Sequence, residues 1–180
     1  LRFRGALSPD ILTPLSEQLG LEVRRFFNFA TLQCQDASVR LGPGWKFQRL
    51  TARVGVTGIN AYGVRLDQGE AVVELDPQRF YSPEAYGTIG ENFARGSYEQ
   101  DLRTREFRFL LDGRLRPLDI SGWFRPWWPD FFRQFEFPAE APPASVDVNG
   151  VWREGKTNIF VQLATRSAVI RGVTFDTLRT

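Results

Sequence analysis

Leu50-Thr51-Ala52-Arg53-Val54-Gly55-Val56 sets an apolar or small residue at every second position. That period of two belongs to a strand with one buried face, because successive side chains of an extended chain point to opposite sides. The alternation returns in Phe107-Arg108-Phe109-Leu110-Leu111-Asp112, in Val146-Asp147-Val148 and in Ile159-Phe160-Val161-Gln162-Leu163. Turn residues separate these runs: Gly42-Pro43-Gly44, Asp67-Gln68-Gly69, Asp76-Pro77, Asp112-Gly113, Asn149-Gly150 and Glu154-Gly155-Lys156. Each supplies a residue that tolerates positive φ or fixes a turn. Asn149-Gly150, ahead of Val151-Trp152, carries the strongest short-hairpin signal. Many short strands with frequent turns predict a mainly β, antiparallel protein.

The chain also repeats itself. Gly5-x-Leu7-x-Pro9 recurs as Gly113-x-Leu115-x-Pro117, an offset of 108 residues, and Arg25, Phe27 and Phe29 fall on Arg133, Phe135 and Phe137. One residue of slippage later, Gly63-Val64-Arg65-Leu66-Asp67 recurs as Gly172-Val173-Thr174-Phe175-Asp176, and Leu50, Ala52 and Val54 fall on Ile159, Val161 and Leu163. Such self-similarity decides architecture before any single motif does. It predicts a first unit over residues 1–108 and a partial second unit over 109–180. What recurs is turns and alternating apolar positions, with no acid, base or nucleophile set among them.

Two segments break the strand pattern at matching places in the units. Residues 8–20 offer Ser8-Pro9 and Thr13-Pro14 as helix starts, Leu12, Leu15 and Leu19 on one face, and Gly20 as a stop. Pro14 is expected to divide this segment into two short helices. Residues 117–135 hold Pro117-Leu118-Asp119-Ile120 and Trp127-Trp128-Pro129-Asp130-Phe131-Phe132-Arg133-Gln134-Phe135. Each unit then reads as a strand, short helices and a β-meander. Pro138-Ala139-Glu140-Ala141-Pro142-Pro143 forms a stiff connector.

Composition removes much chemistry. The 180 residues contain no histidine and one cysteine, so Cys/His zinc sites, Ser-His-Asp triads, Cys-His dyads and an internal disulfide cannot be assembled from them. Cys34, within Leu32-Gln33-Cys34-Gln35, reads as a small buried apolar residue. With 23 basic and 21 acidic residues, the net charge of +2 is a weak field, and the arginines are scattered without a recognition helix; nucleic acid is not an expected partner. Asp112, Asp119, Asp130 and Asp147 suit turns and caps better than a glycosidase pair. Gly87-Thr88-Ile89-Gly90 lacks the Gly-Lys-Ser/Thr of a phosphate loop and reads as a strand with a glycine-relieved bend. No catalytic residue, metal site or cofactor is expected. The chain begins at Leu1, contains no Met and carries no 18-residue apolar run, so it is expected to be cut from something longer, with no membrane-spanning helix inside it.

The function-bearing feature is therefore the apolar face itself. In a closed sandwich it is core. In a sheet that curls without closing it becomes an apolar groove, larger than a soluble monomer normally exposes, and hence a binding site for something apolar. The inward alternate positions Ala52, Val54, Val56, Phe107, Phe109, Leu111, Ile159, Val161 and Leu163 are its expected lining.

Ala144-Ser145-Val146-Asp147-Val148-Asn149-Gly150-Val151-Trp152, followed by Arg171-Gly172-Val173-Thr174-Phe175-Asp176-Thr177-Leu178, resembles the repeated pattern of the AsmA-like and TamB-like envelope proteins. Gly63-Val64-Arg65-Leu66-Asp67 matches the same element. The resemblance covers most of residues 30–72 and 139–180, with weaker support from Phe107 to Pro117. It implies a strongly twisted, taco-shaped open β-sheet with an apolar lining, in a periplasmic segment of an inner-membrane-anchored protein. It further implies phospholipid acyl chains as ligands, passage of phospholipid between inner and outer membranes or outer-membrane biogenesis as the role, and membrane proteins at either end as partners of the full-length chain. Two other readings compete. One is a non-catalytic β-sandwich scaffold in a large surface protein. The other is a carbohydrate-binding module, which would need Trp123, Trp127 and Trp128 coplanar and exposed.

Overall fold

The computed structural model describes residues 1–19, 22–25, 27–61, 63–137, 141–152 and 154–179. The expected stop at Gly20, the connector residues Pro138, Ala139 and Glu140, and the side chains of Leu15 and Leu19 lie outside the described residues. The first strands are β1 (Arg2–Leu7), β2 (Phe27–Asn28), β3 (Thr31–Leu41), β4 (Phe47–Ala61), β5 (Val64–Leu75), β6 (Arg79–Ile89) and β7 (Asn92–Asp101). They are followed by β8 (Glu106–Arg114), β9 (Phe135–Glu136), β10 (Ala144–Val151), β11 (Lys156–Thr165), β12 (Ala168–Ile170), β13 (Val173–Phe175) and β14 (Leu178–Arg179). Two short helices, α1 (Leu12–Leu19) and α2 (Trp128–Phe132), interrupt them.

The protein is mainly β, built on an open antiparallel sheet in the order β1-β3-β4-β5-β6-β7-β8-β10-β11-β14, with β2 also paired to β4. A second sheet, β13-β12-β9, holds three strands. Residue 108 falls inside β8, so one sheet runs through both expected units. The pairings themselves recur at the offsets of the sequence repeat. Phe27 opposite Ala61 becomes Phe135 opposite Ile170, Asn60 opposite Arg65 becomes Val169 opposite Thr174, and Ala37 opposite Ala52 becomes Val146 opposite Val161.

Alternation is maintained along the long strands by local irregularities. In β4, Gly58 adopts φ +59°, and a Cβ there would lie 2.9 Å from that of Ala30, so only glycine fits comfortably. Opposite it in β5, Asp67 and Gln68 are both exposed, and the apolar side resumes at Gly69. Val56 and Ile59 thereby come to one cluster with Leu12 and Phe29, to which Val54, Leu66 and Val23 are packed.

Four sequence expectations need correction. The helical division falls between the 3₁₀ turn Pro9–Ile11 and α1 instead of at Pro14, which lies in the first turn of α1, where the missing N–H costs no bond. Ser8 caps that 3₁₀ turn through the Asp10 N–H, as its position suggests. Asn149-Gly150 makes no hairpin: both residues pair within β10, and the chain reverses one turn later, where Gly155 takes φ +68°. Asp112-Gly113 likewise lies within β8, and Asp67-Gln68-Gly69 within β5. The glycines at 113 and 150 are there for room. A Cβ at Gly113 would lie 2.2 Å from the Phe93 carbonyl oxygen, and one at Gly150 would lie 2.1 Å from that of Lys156.

Candidate apolar groove

Residues directly opposite one another in antiparallel strands point to the same face, so the register assigns each side chain. One row runs Gly5, Cys34, Val54, Ala71, Ala85, Gly96, Leu111, Val146, Val161 across nine strands. The next runs Leu7, Leu32, Val56, Gly69, Gly87, Ala94, Gly113, Ala144, Leu163. Both rows contain only apolar or small residues. On the other side of Val54, Ala52 lies two residues along β4, while Phe109, Val148 and Ile159 stand in line across β8, β10 and β11. Phe107 stands two residues beyond Phe109 on β8, opposite Gly150. All nine expected lining residues therefore occupy one face, and the register draws most of them into shared rows.

The opposite face is polar. Gln33, Gly55, Glu70, Tyr86, Arg95, Asp112, Ser145 and Gln162 form a row there. It carries ion pairs between strands, Arg49–Glu74 at 2.5 Å, Arg79–Glu99 at 2.9 Å and Arg108–Asp147 at 2.6 Å. The Arg108 guanidinium holds the Asp147 carboxyl below the usual carboxylate range, chiefly by donating hydrogen bonds to it. Two open clefts, of about 650 and 490 Å³, also lie on this polar side and share Arg95 and Asp112. Nothing in the sequence pattern pointed to them, because a hollow in a polar face leaves no trace in periodicity.

Trp123 measures the curl of the sheet. Its indole N–H donates to the Ala61 carbonyl oxygen at 2.9 Å, and its ring stands edge-on to Phe109, centroids 6.4 Å apart. Ala61 ends β4 and Phe109 sits in β8, four strands away. In a flat sheet four steps span about 19 Å before any displacement along the strands is added. One indole reaches both because the sheet bends over its apolar side, with the 3₁₀ turn Ser121–Trp123 inside the bend. The sheet curls without closing: β1 and β14 are its two ends.

The apolar face is covered unevenly. Under α1 it is sealed: Leu12 is 3% exposed and Ile59 6%. Ser16 of α1 donates to the Leu12 carbonyl oxygen at 2.6 Å and accepts from the Val23 N–H, which holds the helix against the following turn. Cys34 is buried on this face, and burial pushes its thiol up from the ordinary value. Farther along, Trp152 stands edge-on to Phe107 at 5.9 Å. Toward β11 the face opens, and Val161 is 42% exposed. The floor between is paved with Gly69, Gly87, Ala71, Ala85, Ala94 and Gly96; a Cβ at Gly69 would lie 2.6 Å from the Ile59 Cδ1.

The aromatic stretch does not form a flat platform. Trp123 is half-buried with its N–H engaged, whereas Trp127 and Trp128 stack on each other at 4.5 Å and 20°. Trp127 is 53% exposed, and Trp128 packs perpendicular to Phe131 at 5.4 Å. The coplanar, exposed trio that carbohydrate stacking would need is not assembled. Among the described residues, no helix is long and apolar enough to cross a membrane. No family model, curated protein or solved structure matches this chain.

Proposed function

We propose that this chain is a lipid-binding, groove-forming segment in which acyl chains lie along the apolar side of the curled sheet. The observation that carries the reading is the placement of Ala52, Val54, Val56, Phe107, Phe109, Leu111, Ile159, Val161 and Leu163 on one face of an open sheet. Each methylene withdrawn from water contributes about 0.8 kcal/mol, so such a surface holds an acyl chain without any reacting group. The sequence resemblance to AsmA-like and TamB-like proteins supports placing the segment in the periplasm, within an inner-membrane-anchored protein that passes phospholipid between membranes or serves outer-membrane biogenesis. The open stretch around Val161 is the entry on this reading.

The test is native mass spectrometry of the chain purified from a bacterial host, followed by titration with a fluorescent fatty-acyl probe. Phospholipid should copurify, and the double variant Val161→Asp/Leu163→Asp should bind the probe at least about tenfold more weakly, at unchanged circular dichroism. Absence of both lipid and probe binding, or equal probe binding by the variant, overturns the proposal. A scaffold role is the second reading, favoured by the helical cover over β4, where Leu12 and Trp123 occupy the concave side.

A further inference from the structure

The recurrence of the strand pairings assigns a partner to an edge that carries no strand among the described residues. β8 holds in the second unit the place that β1 holds in the first: Phe3 opposite Ala37 becomes Leu111 opposite Val146, and Arg2 opposite Ser38 becomes Leu110 opposite Asp147. The far edge of β8 is occupied by β7, with Ala94 opposite Gly113, Gly96 opposite Leu111 and Ser97 opposite Leu110. The far edge of β1 carries no strand among the described residues. We infer that this edge receives an extended antiparallel strand patterned like β7, with small residues opposite Gly5 and Phe3 and acidic residues facing Arg4 and Arg2.

Shape and charge each argue for that occupant. The β7–β8 contact is too close for side chains where glycine stands: a Cβ at Gly96 would lie 1.7 Å from the Leu110 carbonyl oxygen, and one at Gly113 would lie 2.6 Å from the Ala94 Cα. Gly5 occupies the place of Gly113, and a Cβ there would meet only the Phe3 ring, at 3.7 Å, so the same notch stands open. Its φ of +147° is a second reason for glycine at this point, where the β1–β3 register shifts. Arg2 and Arg4 alternate with Phe3 and Gly5 and so lie on the polar side, where arginines elsewhere pair with carboxylates of the neighbouring strand. A second copy of the chain fits poorly, since two β1 strands running antiparallel would set Arg2 and Arg4 against each other, and β14 would bring Arg179. An unpaired strand edge is in any case a ready template for another strand. This inference does not depend on the lipid reading.

The probe is a synthetic peptide with the β7 sequence Asn92–Asp101 carrying Arg95→Glu, compared with the unsubstituted and scrambled peptides at concentrations up to millimolar. Hydrogen exchange should slow along β1 only with the patterned peptides, and the Glu-bearing one should bind about two- to five-fold tighter. In the chain variant Arg4→Glu, an exposed change that keeps the β1–β3 backbone pairing and gives up the Arg4 Nε bond to the Gln35 carbonyl oxygen, the preference should reverse toward the peptide retaining Arg95. No protection of β1, equal protection by the scrambled peptide, or a preference untouched by Arg4→Glu overturns the inference. So does a peptide-free dimer that protects β1, which would give the edge to a second copy.

Discussion

Ala52 and Val161 hold equivalent places in the two units, paired to Ala37 and Val146 respectively, yet one is 8% exposed and the other 42%. Their own strands do not explain the gap. β4 has the full length of β5 beyond it, with Leu12 of α1 over Val56 and Ile59 and Ala52 packed with the buried Cys34 and Ala37, whereas β11 is bordered outside by the two residues of β14. In the place of Leu12 the second unit has Ile120, which is half-buried. The pairing is thus copied from unit to unit while the cover is not, so the same alternating pattern gives sealed core at one end and an open trough at the other.

The largest expected effect that tests this contrast is on stability. Leu12→Ala should cost about 2–4 kcal/mol by leaving a cavity over Val56 and Ile59. Ile120→Ala, at the equivalent place, should cost about half as much, because its surroundings are already partly wet. Urea titration of both variants reads the difference, and equal losses would remove the distinction between covered and open units. Next, Trp123→Phe should cost about 1 kcal/mol by leaving the Ala61 carbonyl without its donor. Trp127→Phe, on an exposed ring, should leave the melting temperature nearly unchanged. If the two variants behave alike, Trp123 does not tie β4 to β8.

The smallest effect is electrostatic and belongs to the second unit, since Ser38 stands where Asp147 does in the first. The folded carboxyl of Asp147 is lowered by Arg108, so its contribution is complete above the unfolded aspartate value of about 3.9 and is lost as pH falls through the lower folded value. Asp147→Asn should therefore flatten the acid limb of a stability–pH curve below about pH 4. High salt should do the same to the parent, because the pair lies at the surface, with the Arg108 side chain exposed. An acid limb unchanged by either treatment would remove the pair from the account.

How far these features could be read from residues alone differs between strands and glycines. The runs at Leu50, Phe107 and Ile159 gave their faces away, because alternation is a property of the strand itself. Gly113 and Gly150 read as turns and are strand residues, since a glycine that reverses the chain and one that admits a neighbouring backbone look the same in one dimension. The shift at Gly58, which brings Ile59 to the side of Val56, was equally invisible.

Sequence alone determined that the chain forms antiparallel strands with one greasy face, and that the arrangement recurs after 108–109 residues, because side-chain period and turn chemistry act over a few neighbours. Tertiary structure alone decided that the three apolar runs share a face, that the sheet bends until Trp123 touches both β4 and β8, and which stretch of that face stays open. Those outcomes depend on register and on what packs above, and both are set between residues far apart in the chain.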